Sequence, residues 1–443
     1  MNNDLLTTGN DHPKPGYKQT EVGVIPEDWN VVTIREITSL VTNGFVGKAT
    51  DHYTDRDDGI TYIQGYNVEA NSFNFNGIKK VTPEFHRIHQ KSCVRKDDLL
   101  TIQTGEVGLT TIVPDSLVGS NCHALIISRF KKERALPWFY AHYFNSPMGR
   151  LRLRDLEVGT TMMHINVGEL LPWEVPCPPK LEEQRSIAKA LSDVDALIAS
   201  LDKAIAKKRA IKTATMQQLL TGKKRLPGFG EGKGYKKSAI GSVPEDWEAK
   251  LLPEIAWFQE GPGLRNWQFT TQGMKVINVT NLENGILNLD RTDRHITIEE
   301  FLKTYSHFAI DCGDIVMASS GNSYCKTAIV RDCDLPLVMN TSVIRFKPVN
   351  GYNYTFLFLY LKSDLFKNQI DLMITGGAQP NFGPYHLRKV FLPVPSSDEQ
   401  LAIATVLSDM DAEIAALETR LAKTQALKQG MMQALLTGKV RLV

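Results

Sequence analysis

The stretch that decides the fold is EEQRSIAKALSDVDALIASLDKAI, residues 182–205, which recurs as DEQLAIATVLSDMDAEIAALETRL, residues 398–421. Apolar residues in both copies alternate spacings of four and three, which is the heptad pattern of a helix that packs along one seam. We therefore predict two long helices with matching seams. The seam residues are Ile187, Leu191, Val194, Ile198, Leu201 and Ile205 in the first helix, and Ile403, Leu407, Met410, Ile414, Leu417 and Leu421 in the second.

Both helical stretches run on to the same ending, LLTGK, at residues 219–223 and 435–439. Gly222 and Gly438 fit a left-handed helix cap, and the lysines that follow suit the negative end of the helix dipole. From Glu182 to Leu220 such a helix would be about 60 Å long, at roughly 1.5 Å per residue. We expect the two helices to pack on each other, and the alternative is that each docks on its own domain.

The duplication extends beyond the helices, because YKQTEVGVIPEDW at residues 17–29 returns as YKKSAIGSVPEDW at residues 235–247. The period is far longer than the roughly 20 to 50 residues of a solenoid repeat, so the chain holds two homologous halves with similar ends and divergent middles. The predicted order is a mobile arm (1–16), a first domain (17–178), the first long helix (179–226), a Gly/Pro linker (227–234), a second domain (235–395) and the second long helix (396–443).

The middle of each half indicates mixed helix and strand. Runs rich in β-branched residues predict strands, and two aromatic-rich runs predict a buried helix that carries Tyr143 in one half and Tyr360 in the other. The fold class is therefore α+β, with two homologous domains separated by a pair of long antiparallel coiled-coil helices in a pseudo-twofold repeat. The predicted strands are 60–63, 99–102 and 124–127, matched by 275–279, 315–318 and 342–346, and the helices are 138–147 and 355–364.

Composition places the chain among globular proteins of two or three domains, with 443 residues, 42% hydrophobic and 23% charged. No run approaches the roughly 18 apolar residues of a membrane span, and the polar start lacks the apolar stretch of a signal peptide. We expect a cytoplasmic protein without a membrane partner. The six cysteines form no CxxC pair, which predicts reduced and mostly packed thiols.

The net charge of +2 conceals a local excess, because residues 200–240 contain eleven Lys and Arg against two acidic residues. The excess recurs, weaker, in residues 417–441. A solvated helix face is one interpretation. Contact with DNA phosphates or with a partner subunit is the other, and its candidates are Lys203, Lys207, Lys208 and Arg209.

The sequence contains no recognisable catalytic set. PGFGEGKG at residues 227–234 has Pro in place of the first Gly of a phosphate-binding loop and Gly in place of its hydroxyl residue. NFGPY at residues 381–385 is only weakly similar to the Asn-Pro-Pro-Tyr site of adenine methyltransferases. His86 and His89 lack an accompanying Cys or carboxylate set. We therefore predict no catalytic residue, cofactor or metal ligand in this chain.

Taken together, the repeated segments resemble the DNA-specificity subunits of type I restriction-modification systems. The resemblance covers about residues 17–443 and rests on the ordered set of a VIPEDW-type opening, a variable domain and a Pro-rich segment that leads into the EEQ helix. Its most specific parts are PCPPKLEEQRSIAKALSDVDALI, residues 176–198, and PVPSSDEQLAIATVLSDMDAEI, residues 393–414.

The resemblance implies two target recognition domains that each read one part of a split, asymmetric site in double-stranded DNA, with the helices fixing the gap. It also implies partners: two methylation subunits that use S-adenosylmethionine to methylate adenine, and restriction subunits that use ATP and magnesium to translocate and cleave DNA in phage defence. This chain would be the non-catalytic subunit that selects the site. The alternative is a coiled-coil adaptor or orphan specificity-like protein that scaffolds partner proteins.

Candidates for base contact are polar residues in predicted loops, where Arg and Lys suit guanine and Asn and Gln suit adenine. An ordinary turn or cap role is the alternative for each of them. The candidates are Lys48, Gln103, Thr104, Thr160, Thr161 and Asn166 in the first half, and Arg265, Asn266, Gln268, Ser320, Asn322, Gln379 and Asn381 in the second.

Overall fold

The structure, a computed structural model, describes residues 13–159, 163–283, 285–374 and 380–442. It divides into two compact units: unit 1 is residues 1–203 and 418–443, and unit 2 is residues 204–417. The two long helices are present, as Leu181–Leu220 and Ser397–Leu435. The division falls within both helices, so each unit contains one predicted domain and one segment of each helix.

The central sheet of unit 1 is antiparallel and buried on both faces. Leu99 and Ile126 point to a core shared with the helices, whereas Leu100 and Ile127 belong to a second core on the opposite face. Because successive side chains of a strand alternate between faces, a strand covered on both sides is apolar throughout. The strand order is Thr110–Ile112, Leu99–Ile102, Leu125–Phe130 and Thr38–Asn43.

Smaller strand pairs and short helices complete unit 1. The other strands are the hairpin Tyr17–Thr20 and Gly23–Pro26, the pair Asn30–Thr33 and Glu174–Cys177, the hairpin Val68–Glu69 and Ser72–Phe73, and the sheet Asn121–Cys122, Ile60–Ile63 and Lys79–Val81. The helices of the domain are Ile34–Ile37, Pro83–Ile88, Pro137–Asn145, Pro147–Arg154 and Val167–Leu170.

Unit 2 repeats this arrangement around an equivalent antiparallel sheet. Ile315 and Met317 face the core shared with the helices, while Val316 and Ala318 face the opposite core. The strand order is Thr327–Ile329, Ile315–Ala318, Val343–Pro348 and Ala256–Glu260.

Most of the remaining elements of unit 2 also correspond to those of unit 1, but its second sheet has four strands where that of unit 1 has three. The other strands are the hairpin Tyr235–Ser238 and Gly241–Pro244, the pair Glu248–Leu251 and Phe391–Val394, the hairpin Leu282–Glu283 and Ile286–Leu287, and the sheet His295–Ile296, Met274–Ile277, Leu337–Met339 and Ala309–Ile310. The helices are Leu252–Ile255, Ile298–Glu300 continued by a π turn at Phe301–Tyr305, Tyr354–Leu361, Asp364–Met373 and Pro384–Leu387.

Within unit 1 the long helices run antiparallel. Arg441 binds Glu183 and Lys428 binds Asp195, so the partner's number falls as the number in the first helix rises. Unit 2 has the same relation in Lys212–Asp411 and Lys208–Glu413. The predicted pairing of the helices is thereby confirmed inside each unit.

The start of each seam, however, does not belong to the helix pair alone. Ile187 and Leu191 lie in the core of the first domain, and Ile403 and Leu407 lie in the core of the second. The start of each helix therefore packs on its own domain and on the end of the other helix at once, since Ile187 shares its core with Met432 and Ile403 shares its core with Leu219.

The strand and helix predictions for the middle regions are confirmed, with ends shifted by a few residues. Tyr143 and Tyr360 are buried as expected. All six cysteines are unbonded, but Cys312 and Cys333 are exposed, so the prediction of packed thiols is wrong for these two. Among the described residues, no helix combines the length and the apolar character that crossing a membrane requires.

Candidate nucleic-acid interface

The repeated sequence motifs meet at one place in unit 1. Arg441, just beyond the second long helix, donates hydrogen bonds to both carboxylate oxygens of Asp28, at 2.9 and 3.0 Å, and also binds Glu183. Its guanidinium lies 5.8 Å from the ring centroid of Trp29. Glu183 is fully buried, and such a carboxylate requires a charged partner. We call these four residues the unit 1 clamp.

Unit 2 contains the same arrangement, which we call the unit 2 clamp. Arg225 donates to both oxygens of Asp246 at 2.9 Å and binds Glu399, whose side chain is also buried. The guanidinium lies 5.4 Å from the ring of Trp247. This ion pair lowers the pKa of Asp246 to about 2, chiefly through the hydrogen bonds from Arg225. The clamps explain why PEDW, EEQ or DEQ, and LLTGK followed by Arg all occur twice.

The two helix-cap glycines pack against the clamps. Gly222 and Gly438 have φ values of +67° and +70°, as the sequence predicts. A Cβ on Gly222 would lie 2.5 Å from the Pro244 ring, and one on Gly438 would lie 2.5 Å from the Pro26 ring. Glycine is therefore required both for the backbone conformation and for close packing.

The glutamine of the EEQ segment holds the buried aromatic helix of each domain. Gln184 accepts from the backbone N–H of Leu136 at 2.9 Å, and Gln400 accepts from that of Asn353 at 2.8 Å. These positions begin the helices Pro137–Asn145 and Tyr354–Leu361. The clamps and glutamines thus attach each domain to its long helices.

One loop at the end of the central sheet corresponds in the two units. Thr104 forms a β-bridge with His164 in unit 1, and Ser320 forms one with Asn381 in unit 2. Thr104 and Asn381 are exposed and Ser320 is half-buried. The structure therefore brings together the predicted candidates Ser320 and Asn381, and adds His164 beside Thr104, which the sequence did not single out.

Other candidates are exposed but stand elsewhere on their domains. Lys48 is exposed and forms an ion pair with Asp51 at 3.0 Å. Asn166 precedes the short helix Val167–Leu170, and Asn322 lies in an exposed turn after Ser320. Thr160, Thr161 and Gln379, together with residues 1–12 of the predicted arm, lie outside the described residues.

Two predicted glutamines have buried side chains. Gln268 donates to Tyr305 at 3.0 Å and to Glu300, and accepts from the backbone N–H of Arg265 at 2.7 Å. Gln103 is buried beneath its loop, where Oε1 has no hydrogen-bond partner among the described residues. The side-chain amide of Gln268 is hydrogen-bonded within its own domain. Its neighbours Arg265 and Asn266 are exposed to solvent, and Gln268 is not.

The basic candidates on the first long helix are mostly on its outer side. Lys203, Lys207 and Arg209 are exposed. Lys208 is half-buried and forms an ion pair with Glu413 of the second helix at 2.6 Å. Lys208 therefore has a role in holding the helices together.

A buried asparagine that sequence reasoning missed shapes an equivalent turn in each domain. Asn67 accepts from the backbone of Gln64 and donates to the carbonyl of Asn74, and Asn281 makes the same two bonds with Asn278 and Asn288. The signal was present in the sequence, because QGYNVE and NVTNLE both carry Asn three residues after a side-chain amide.

The two histidines considered for catalysis make packing and hydrogen-bond contacts within their own domain. His86 shares a hydrogen bond of 2.6 Å with Asn121, and the ring of His89 packs on Phe45 and Phe85. Among the residues that the structure describes, no group of three or more His, Cys, Asp and Glu side chains is arranged to hold a metal ion.

The fold and its loops define a class of protein: two homologous recognition domains, each clamped to a pair of antiparallel helices. Comparison with known proteins agrees with this class. Residues 26–208 and 244–428 match the family "Type I restriction modification DNA specificity domain". The chain belongs to this family, and contains its domain twice.

The chain is similar over nearly its whole length to curated specificity subunits. It is 28% identical over 437 residues to the type I restriction enzyme MjaVIII specificity subunit of Methanocaldococcus jannaschii, covering 97% of each chain. It is 25% identical over 443 residues to the putative MjaX specificity subunit of the same organism, covering 97% of this chain and 98% of that one.

Solved structures share the fold. The S subunit of a type I restriction-modification system from M. genitalium has a TM-score of 0.55 and 17% sequence identity, covering 92% of this chain and 96% of that one. The fold predicted from the sequence repeat is therefore confirmed.

Proposed function

We propose that this chain is the subunit of a type I restriction-modification complex that selects the DNA site. Unit 1 binds one half of a bipartite, asymmetric sequence, and unit 2 binds the other half. The chain itself catalyses no step. It directs methylation subunits to adenines in the site, and restriction subunits to DNA in which those adenines are unmodified.

One observation carries this proposal: the two domains share a scaffold and differ in the side chains of their exposed loops. Thr104 and His164 in unit 1 stand where Ser320 and Asn381 stand in unit 2. Base edges in the major groove are distinguished by hydrogen-bond donors and acceptors, so two domains that read different sequences require different side chains on the same framework. Membership of the specificity family supports the same conclusion.

Loops and helix face have separate roles in this proposal. Loop residues contact bases: the exposed Lys48, Thr104, Asn166, Arg265, Asn266, Asn322 and Asn381, and the half-buried Ser320. Lys203, Lys207 and Arg209 contact phosphates or a methylation subunit. Phosphate contacts position a protein without reading sequence, so loss of a lysine would weaken binding to all duplexes alike and reduce its salt dependence.

The decisive experiment is a genome-wide map of methylated adenine in a host that lacks other modification. The chain is expressed with and without its methylation subunit. We expect a split, asymmetric motif only when both are present. Absence of any new motif, despite a stable complex of the two proteins, would contradict the proposal and favour an adaptor that only scaffolds proteins.

A second experiment tests whether the helices set the gap between the half-sites. Four residues inserted after Leu201, with a matching insertion in the second helix, add about one turn, or roughly 6 Å, to each helix. We expect the gap in the methylated motif to lengthen while both half-sites keep their sequence. Altered half-sites with an unchanged gap would refute the role of the helices as a spacer.

A further inference from the structure

A turn in unit 2 presents a tryptophan to solvent. The turn contains the 3₁₀ helix Asn266–Gln268, and Trp267 at its centre is 81% exposed. Arg265 and Asn266, which precede it, are exposed as well. The clamp residues Trp29 and Trp247, in contrast, are fully buried.

The turn is firmly held, so the exposure of Trp267 does not come from a loose loop. On one side, Leu264 is buried and its N–H donates to Asn340 at 3.3 Å. On the other side, Gln268 is buried and its amide binds Tyr305 at 3.0 Å. The residues at both ends therefore point inward, and the three between them are presented together on the surface.

Unit 1 has a turn at the equivalent place with different chemistry. The segment after the edge strand Thr38–Asn43 also contains a 3₁₀ helix, Thr50–His52, but with Thr, Asp and His in place of Asn, Trp and Gln. Both turns follow a glycine that approaches backbone closely: a Cβ on Gly44 would lie 2.6 Å from the carbonyl oxygen of Cys122, and one on Gly261 would lie 2.1 Å from that of Asn340. The two segments begin at equivalent glycines and then present different side chains.

We propose that Trp267, together with Arg265 and Asn266, forms a base-contacting surface for the half-site that unit 2 recognises in double-stranded DNA. This inference rests on the proposed function and names a specificity-determining residue within it. The guanidinium and the carboxamide are groups that suit guanine and adenine edges, and the flat indole provides apolar contact with a thymine methyl group or a sugar.

The difference between the two turns favours DNA over a protein as the occupant. A surface that docks the same partner subunit on both domains would need the same side chains in both units, as the clamps have. A surface that distinguishes two DNA sequences needs different ones. The cation and the amide beside the indole also suit a polar, anionic duplex better than an apolar protein surface.

The test uses the full chain assembled with its methylation subunits, and a library of duplexes with randomised sequence as the probe. The wild-type complex selects two half-motifs. We expect Trp267→Ala to lower affinity for the selected duplex by on the order of tenfold and to erase preference at one or two positions of one half-motif. The other half-motif stays intact, and Trp267→Phe keeps part of the preference.

Asp51→Ala is the matched control, because it alters an exposed 3₁₀ helix in the corresponding segment of unit 1 and should leave the half-motif that Trp267→Ala affects unchanged. Unfolding curves establish that both variants fold, as expected for exposed side chains. An unaltered motif and affinity with Trp267→Ala would overturn the inference, as would loss of methylation-subunit binding with the motif preserved. If the wild-type complex selects no motif, the proposed function itself fails.

Discussion

The two units are alike where each holds its helices and unlike where a turn leaves the sheet. The clamps contain the same four residue types in the same geometry. The turns Thr50–His52 and Asn266–Gln268 follow equivalent edge strands and have no side chain type in common. Chemistry that recurs in both units therefore maintains the scaffold, and chemistry that differs marks where two targets are told apart.

The clamps also differ in one hydrogen bond. Trp247 donates its indole N–H to Glu399 at 2.8 Å. The corresponding Nε1 of Trp29 has no partner among the described residues, so Glu183 receives its hydrogen bonds from Arg441 without help from an indole. The unit 1 clamp therefore depends more on its arginine than the unit 2 clamp does.

Removing the clamp arginine should have the largest effect on the free energy of unfolding, and the effect should differ between the two clamps. Arg441→Ala leaves Glu183 buried and without a cation, which typically costs about 3 to 5 kcal/mol of unfolding free energy. Arg225→Ala should cost less, because Trp247 still donates to Glu399. Urea unfolding of the full chain, with hydrogen exchange to assign the loss to a unit, measures both.

Lys224→Ala is the control for these arginine variants, since Lys224 is exposed one residue before Arg225. We expect it to change stability by less than about 0.5 kcal/mol. Equal losses for Arg441→Ala and Arg225→Ala would show that the indole hydrogen bond does not distinguish the clamps.

Next in size is the effect of the helix-cap glycines. Gly222→Ala and Gly438→Ala place a side chain in the left-handed region, which costs about 1 to 2 kcal/mol, and the added Cβ collides with Pro244 or Pro26.

Gly430→Ala is the matched control for the cap glycines, because Gly430 lies inside the second long helix. A Cβ there would meet no atom of the described residues within 4 Å, and alanine should stabilise the helix by about 0.5 to 1 kcal/mol. Thermal unfolding distinguishes the loss of stability expected for the two cap variants from the gain expected for Gly430→Ala. Destabilisation by all three variants would contradict the cap assignment.

The sequence predicted the scaffold well because its signals are periodic or duplicated. Heptad spacing located both long helices, and LLTGK located their ends. The pairing of Arg441 with Glu183 could have been anticipated too, since both positions recur at the same place in each half. It was missed because these residues are 258 positions apart, and only the fold brings them together.

The recognition surface was much less predictable. Amide side chains in predicted loops suggested base contact equally for Gln268 and Asn266, yet Gln268 points inward to Tyr305 while Asn266 is exposed. A residue type states what a side chain can bond, and the local backbone decides which way it faces. The exposure of Trp267 could not be predicted either, because the sequence does not show whether an aromatic residue in a loop packs inward or faces solvent.

Acid should affect unit 1 through a histidine that unit 2 lacks. His142 is buried between Asn71 and Ser192, and burial lowers its pKa from 6.5 to about 4. The unfolded chain therefore binds this proton first, and stability is lost as pH falls from about 6.5 toward 4. The corresponding position in unit 2 is Leu359, which does not titrate.

Hydrogen exchange at pH values of about 7 and about 4.5 measures the effect of His142, because most of the predicted loss of stability falls between these two values. We expect amides around Pro137–Asn145 to lose protection at the lower pH relative to those around Tyr354–Leu361. His142→Gln, which keeps a polar side chain and does not titrate, should remove the difference. Asp195 lies 3.9 Å from the ring and raises the pKa of His142, which offsets part of the effect of burial. A pH response that persists in His142→Gln would place its origin elsewhere.

The smallest effect concerns the ion pairs between the long helices. Asp411→Lys sets two cations beside each other in unit 2, and adding Lys212→Asp restores an opposite-charge pair, so a double-mutant cycle should give about 0.5 to 1 kcal/mol for this partly exposed interaction. In unit 1 the equivalent acid, Asp195, binds Lys428 and also accepts from Asn71 of the domain at 3.1 Å. Reversing Asp195 and Lys428 together should therefore fail to restore full stability, because lysine cannot accept the bond from Asn71. Complete recovery of stability in both units would mean that these charged residues act only through the ion pairs between the helices. The hydrogen bond from Asn71 would then add nothing to the attachment of the first domain.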